Sequence, residues 1–330
     1  MKFRKGTGTS IVGPLVAVVV VTIVVGLTTG RFFSPNNITN IMLQVSIVSL
    51  ISIGSTFVIV SGGIDLSPGS AIALLTMILA STVKFEGFPL WLGIVVTVVA
   101  GGLLGLWNGV LTAYLRIPAF ITTVASLSIF RGLAFMFNNG SPIFSVSEHL
   151  EPIFYGSVVG IPYALFYVFF FYALAFFVMR YTELGRRIYA VGGNSAAARF
   201  SGIKVKRVTM VAFIVAGVMA GFAAVLMAAR LNSGSPNYGV GMELSAIAAA
   251  VIGGASLDGG KGNVISTLLG ALTITIVQNG LNLQAVPTSF QNVVLGLIIM
   301  LAVFLDMWRE EIGSIVFGWM RRRPDRKSVV

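Results

Sequence analysis

The sequence predicts an all-α polytopic membrane protein of about ten transmembrane helices, and three observations carry that prediction. Hydrophobic residues make up 56% of the 330 positions and charged residues only 10%, with a mean hydropathy of +0.94. A soluble fold needs far more polar surface than this. Ten apolar segments recur along the chain, most of them near the roughly 20 residues that a helix needs to cross a bilayer. Finally, the basic residues gather in alternate connections between those segments, as the positive-inside rule requires of a protein that crosses repeatedly.

The ten segments lie near residues 11–29, 38–60, 67–83, 90–115, 118–137, 161–180, 208–230, 243–257, 264–285 and 288–306. The first follows Lys2, Arg4 and Lys5 but is longer than the apolar core of a signal peptide, and no small-x-small cleavage site follows it. It is expected to remain as a helix. The third and eighth are short for a full crossing and have Gly/Pro interruptions beside them, the pattern of broken helices that line a cavity. The 38 glycines suit close helix–helix approach in lipid. With both termini placed in the cytoplasm, only Arg31, Lys84, Arg131 and Arg230 of the 22 lysines and arginines fall outside. The longest inner loop is then 181–207, the main outer loop 138–160, and 308–330 a basic inner tail. The tail's "RRRPDRK" (321–327) fits an anionic lipid surface beside a final helix better than nucleic acid.

Three signatures occur twice in the same order. "GIDLS" (63–67) returns as "GMELS" (241–245), "NGVL" (108–111) as "NGLN" (279–282), and "IPAFITTV" (117–124) more loosely as "VPTSFQNV" (286–293). Five segments separate the matched positions, an odd number. Segments 2–5 and 7–10 therefore read as inverted-topology repeats, an arrangement that places a pathway at the pseudo-symmetric centre. Asp65 and Glu243 are the paired acids of this repeat. Either they hold broken-helix ends and line a polar path, or they cap the helix N-termini that follow them, where a carboxylate is favoured. Gln44, Asn108, Gln278, Asn279 and Asn282 are neutral amides in or near membrane segments. They suit a sugar that needs uncharged hydrogen-bond partners, or else act as interhelical glue worth about 1 kcal/mol per bond. Few acids lie deep in the helices, which disfavours an ion-coupled secondary sugar transporter.

No enzyme site or cofactor of the chain's own is expected. His149 has no metal-ligating neighbours, and the cysteine count is 0. "GASLDGGKG" (254–262) fails as a phosphate loop, because Gly262 stands where Ser or Thr must follow Lys261. Any ATP, with its Mg, is used by another chain.

The segment "GGNSAAARFSGIKVKR" (192–207) interrupts the apolar pattern. Gly192-Gly193 is expected to break the chain, Asn194 to cap a short helix and Gly202 to end it. Ala196, Ala197, Phe200 and Ile203 recur at helical spacing as one apolar edge, ringed by Arg199, Lys204, Lys206 and Arg207. A two-turn helix is unstable alone in water. It is therefore expected to dock against a soluble partner or to lie on the inner leaflet.

The segment resembles the coupling helix of ATP-binding cassette importers. Ala197-Ala198 followed by Gly202 matches the "AA-x-x-x-G" core of their docking loop, with Ser195 or Ala196 standing where a glutamate is usual. More widely, the chain resembles the ribose-type sugar permeases. The matching stretches are "SGGIDLSPGS" (61–70), "IPAFITT" (117–123), "NNGSPI" (138–143), "TELGRRIYAVGGNSAAARFSGI" (182–203), "ELSAIAAAVIGGASLDGGKG" (243–262) and "NGLNL" (279–283). Pro68 is a minor departure at a position where proline starts a helix well. The resemblance implies a vitamin B12-importer-like (type II) permease fold in a bacterial inner membrane. It implies two permease subunits, identical or homologous, that form a pathway between them. Each would dock a cytoplasmic ATPase through Gly193, Asn194, Ser195, Ala196, Ala197, Ala198, Arg199, Phe200, Gly202 and Ile203. A periplasmic sugar-binding protein would deliver a ribose-like pentose or hexose to the outer loops. Related permeases carry xylose, galactofuranose, inositol or a furanose-like signalling molecule.

Overall fold

A computed structural model describes residues 9–307; the basic tail expected at 308–330 and the basic residues at 2–5 lie outside the described residues. The ten apolar segments all fold as helices. In chain order the helices are α1 (Thr9–Thr28), α2 (Pro35–Val60), α3 (Pro68–Lys84), α4 (Leu90–Ala113), α5 (Ala119–Met136) and a short α6 (Glu151–Tyr155). They continue as α7 (Tyr163–Tyr181), α8 (Glu183–Gly193), α9 (Ser195–Phe200), α10 (Val205–Leu231), α11 (Met242–Ile252), α12 (Val264–Leu283) and α13 (Thr288–Met307). Among the described residues, 7 helices are long and apolar enough to cross a membrane: α1, α2, α4, α5, α7, α10 and α12. The chain is a multi-pass helical membrane protein.

Helix α2 forms the centre. It is apolar on all sides, and a helix of that kind is stable only when surrounded; 94% of its most apolar window is buried. Several of its hydroxyls find partners within their own helix, Ser52 Oγ donating to the Val48 carbonyl and Thr56 Oγ1 to that of Ser52, each at 2.7 Å. Around it the packing falls into two matching sets. Helix α2 packs on α10, α11 and α12, while α10 packs on α2, α3 and α4. In the same way α3 lies against α4 and α5, and α11 against α12 and α13.

The α4–α10 contact is made by backbone. A Cβ added at Gly101 would stand 2.4 Å from the Gly217 carbonyl oxygen, and one at Gly105 2.2 Å from that of Phe213. Spaced four apart, these glycines lie on one face, and their missing side chains let dispersion contacts form along the whole crossing.

Helices α3 and α11 are the shortest of the core. At 17 and 11 residues they reach about 25 and 16 Å, short of the roughly 30 Å hydrocarbon thickness. Helix α11 is also shorter than the 243–257 segment suggested. Gly253 closes against the Thr267 backbone and Gly254 turns at φ +86°, so the run 253–257 leaves the helix. Each short helix is preceded by a non-helical segment, 61–67 before α3 and 232–241 before α11. The second segment runs back along α3: Gly234 lies against Thr76, and Gly239 against Gly69. The N-termini of α3 and α11 therefore meet inside the bundle.

Two small antiparallel pairs cover the bundle end opposite α9. Strand β1 (Ile143–Phe144) pairs with β4 (Ser233–Gly234), and β2 (Ser157–Val158) with β3 (Ile161–Pro162). Helix α7 spans between them, from β3 at its start to α8 at its end.

Candidate functional site

Helix α9 stands away from the bundle. Asn194 sits at φ −162°, ψ 99°, and its Oδ1 accepts from the Ala197 N–H at 2.9 Å. At the other end Gly202 takes φ +82°, and the N–H groups of Gly202 and Ile203 close on the carbonyls of Arg199 and Ala198. That is a capped helix with a left-handed stop. Ala198 faces the bundle, whereas Gly193, Ser195, Ala196, Ala197, Arg199 and Phe200 are exposed. Phe200 is 91% exposed.

Two expectations change here. The predicted edge of Ala196, Ala197, Phe200 and Ile203 is divided, because the turn at Gly202 swings Ile203 back against the core. Gly192-Gly193 breaks the helical path as expected, but a helix rather than a loop runs up to it. The pair ends α8, which Thr182 caps by accepting from the Gly185 N–H and which buries Gly185, Ile188 and Val191. Gly192 is needed for contact: a Cβ there would stand 1.8 Å from the Val60 carbonyl oxygen and 2.6 Å from the Gly260 nitrogen. Gly260 N–H donates to that same Val60 carbonyl at 2.9 Å, and Tyr189 Oη donates to the Gly262 carbonyl at 2.8 Å. The base of α9 is thus fastened to the end of α2 and to the loop after α11.

Six of the seven predicted polar residues fall into three groups. Asp65 and Asn108 join one buried chain. Asp65 Oδ1 accepts from Ser67 N–H (2.9 Å) and Ser67 Oγ (2.7 Å). Asn108 Nδ2 donates to Ser67 Oγ at 2.9 Å, and Ser126 Oγ donates to Asn108 Oδ1 at 2.5 Å. This ties the 61–67 segment to α4 and α5. Asn279 makes a reciprocal pair with Asn37 at 2.9 and 3.0 Å, fixing α12 to the start of α2.

Gln44, Gln278 and Asn282 come together with Arg230 and Met242 around a cleft of about 190 Å³. Gln278 Nε2 donates to Ser245 Oγ at 3.2 Å; Ser245 matches Ser67 in the repeat, but its amide donor stands one residue before Asn279, the match of Asn108. Glu243 belongs to none of these groups. Its Oε2 is buried without a hydrogen-bond partner among the described residues, while the backbone of Gly241 and Glu243 donates to the carboxyl group and Arg131 lies within electrostatic reach. The Arg131 guanidinium itself donates to the carbonyls of Pro236 (2.5 Å) and Tyr238 (2.7 Å), pinning the 232–241 segment. Asn37 was not singled out from sequence, and Arg131 and Arg230 were named there only as outward-placed cations. A charged or amide residue within an otherwise apolar run was the available signal.

Buried glycine crossings, two half-length helices meeting inside the bundle and a short capped helix at its end describe a multi-pass all-α membrane protein of the permease class. Residues 37–303 match the family described as branched-chain amino acid transport system / permease component. The chain belongs to that family, and within it to the ribose-type permeases of ATP-binding cassette importers. It is 40% identical over 295 residues to the ribose import permease protein of Haemophilus influenzae, covering 88% of this chain and 91% of that one. Its identity to the ribose import permease protein of Escherichia coli K12 is 38%, covering 88% and 92%. To the D-allose transport system permease protein of the same organism it is 39%, covering 87% and 88%. No solved structure matches.

Proposed function

We propose that this protein is the transmembrane permease subunit of a binding-protein-dependent importer for a monosaccharide, driven by a separate cytoplasmic ATPase. The observation that carries this reading is the capped helix α9, whose apolar tip Phe200 is 91% exposed while its base is locked to α2 and to the 253–263 loop. An apolar side chain held in water at a rigid tip is an anchor for a partner. The ATPase binds Mg and ATP, and this chain supplies the route.

In this reading α2–α5 and α10–α13 are the two inverted repeats of a type II permease with ten membrane segments, paired with a second permease subunit. Both termini and α9 face the cytoplasm, and the end bearing β1–β4 faces the binding protein. When the ATPases close, α9 moves with them. Through Gly192 and Gly260 that motion reaches the 61–67 segment and the loop after α11, the two ends of the broken helices. A partner that prefers one arrangement of these elements shifts the population toward it, which is alternating access in energetic terms. Sugar then passes neutral amides that hold it loosely.

Co-purification of the chain with its partners, followed by sugar uptake into vesicles with and without ATP, tests the proposal. Uptake that needs ATP and the ATPase supports it. Uphill uptake by the permease alone overturns it in favour of an ion-coupled carrier.

A further inference from the structure

The cleft between α2, α10, α11 and α12 holds two polar side chains with nothing to bind. Arg230 is half-buried, yet its guanidinium makes no hydrogen bond or ion pair with any described residue, and no carboxylate lines the cleft. Gln44, across the cleft on α2, likewise has an amide with no partner among the described residues. Gln278 has committed its Nε2 to Ser245, and Asn282 Oδ1 accepts from Gln291 Nε2 at 2.9 Å, so each keeps half of its amide free. Polar groups that are partly withdrawn from water and left unpaired cost free energy until a ligand pairs with them.

The volume of about 190 Å³ equals roughly six waters at ~30 Å³ each, the scale of one small polyol. Donors outnumber acceptors, and the guanidinium presents them as a planar fork. That geometry fits two oxygens on adjacent carbons. Met242, the first residue of α11, forms part of the wall, so the cleft opens where the 232–241 segment enters the half-helix.

We propose that this cleft is a transient sugar station in which the Arg230 guanidinium binds a pair of adjacent monosaccharide hydroxyls, with Gln44, Gln278 and Asn282 taking neighbouring ones. This rests on the sugar-permease reading and adds the residue that grips the cargo. With one cation and three amides in an open cleft, the grip is weak, and a sugar can leave as readily as it enters.

The test uses the whole importer, permease with ATPase and binding protein, in proteoliposomes. D-ribose, D-allose and D-xylose are the probes, and the readout is sugar delivered per ATP hydrolysed. Losing a charge-assisted bidentate contact should lower that ratio about tenfold or more in Arg230→Met. Arg230→Lys keeps the charge without the fork and should fall in between. Arg31→Met removes another exposed cation, one that does not line the cleft, and should hold the wild-type ratio. If Arg230→Met inserts poorly, Arg230→Lys and Gln44→Leu decide the matter. Wild-type ratios in the Arg230 and Gln44 variants overturn the station while leaving the permease reading intact. Failure of the wild-type importer to carry any of the three sugars removes the reading beneath it.

Discussion

Gly69 faces the carboxylate of Glu243 so closely that a Cβ at residue 69 would stand 1.9 Å from Oε2. The two residues belong to the first turns of α3 and α11, whose N-termini both carry partial positive charge. A buried carboxylate oxygen without a hydrogen-bond partner is tolerable there because two helix ends and the nearby Arg131 offset its charge. The paired acid of the other repeat, Asp65, instead has its hydrogen bonds from Ser67. The two repeats therefore differ at matched positions: Asp65 is held by a side chain and backbone together, whereas Glu243 has only backbone hydrogen bonds, from Gly241 and its own N–H, besides the field around it.

Gly69→Ala should destabilise the protein by about 1–3 kcal/mol, the usual cost of overpacking. The added methyl meets Glu243 Oε2 and, at 2.3 Å, the Gly239 carbonyl oxygen. Thermal unfolding in detergent measures it. Adding Glu243→Ala to Gly69→Ala should recover part of the loss, since one of the two clashes disappears. An unchanged midpoint for Gly69→Ala would refute the meeting of the half-helices.

Asn108→Ala strands Ser126, which donates to it at 2.5 Å, and takes from Ser67 Oγ the donor at 2.9 Å while leaving its bond to Asp65. Leaving buried polar groups unpaired costs about 1–3 kcal/mol. The effect should be non-additive with Ser126→Ala, because one network cannot be lost twice. A double-mutant cycle on the unfolding midpoint reads the coupling. Strict additivity would mean that the buried bonds do not form.

The positions of all ten apolar helices could be read from the sequence, because a continuous apolar run has one stable answer in lipid. The caps at Asn194 and Gly202 were also visible, since side-chain acceptors and positive φ belong to particular residue types. Helix α8 was not. Its polar face resembles a loop, and its burial comes from Ile188 and Val191 meeting distant helices. The roles of the amides were equally hidden. Asn279 and Gln278 are adjacent in the chain, yet one locks to Asn37 and the other lines the Arg230 cleft. Helix rotation of about 100° between neighbours makes that difference, and only tertiary packing fixes which neighbour points where.

Gly192→Ala should uncouple the importer. Its methyl would push against the Val60 carbonyl oxygen and the Gly260 nitrogen, at 1.8 and 2.6 Å. In the proposed mechanism that contact passes motion from α8 and α9 to the broken helices. Uptake per ATP should fall several-fold while the ATPase still binds, because α9 itself is untouched. At Gly193, one residue on, a Cβ would meet nothing within 4 Å, so Gly193→Ala should unfold at the wild-type temperature. Equal uptake per ATP in Gly192→Ala and wild type would show that coupling takes another route.

Phe200→Ser should release the ATPase without harming the permease fold. The ring is 91% exposed, so its removal takes almost nothing from the bundle, and the unfolding midpoint should stay put. A central aromatic anchor is worth about 2 kcal/mol or more to an interface, so the affinity for the ATPase should weaken at least about 30-fold. Ala197→Glu, on the same exposed face, should do the same by adding bulk and an unpaired charge. Gly202→Ala acts differently. It strains a residue held at φ +82°, at a cost of about 1 kcal/mol, and should loosen the helix end before it loosens the partner. Affinity measured by titrating the ATPase onto nanodisc-bound permease separates these effects. Wild-type affinity in both Phe200→Ser and Ala197→Glu would mean that α9 rests on lipid and that the ATPase docks elsewhere.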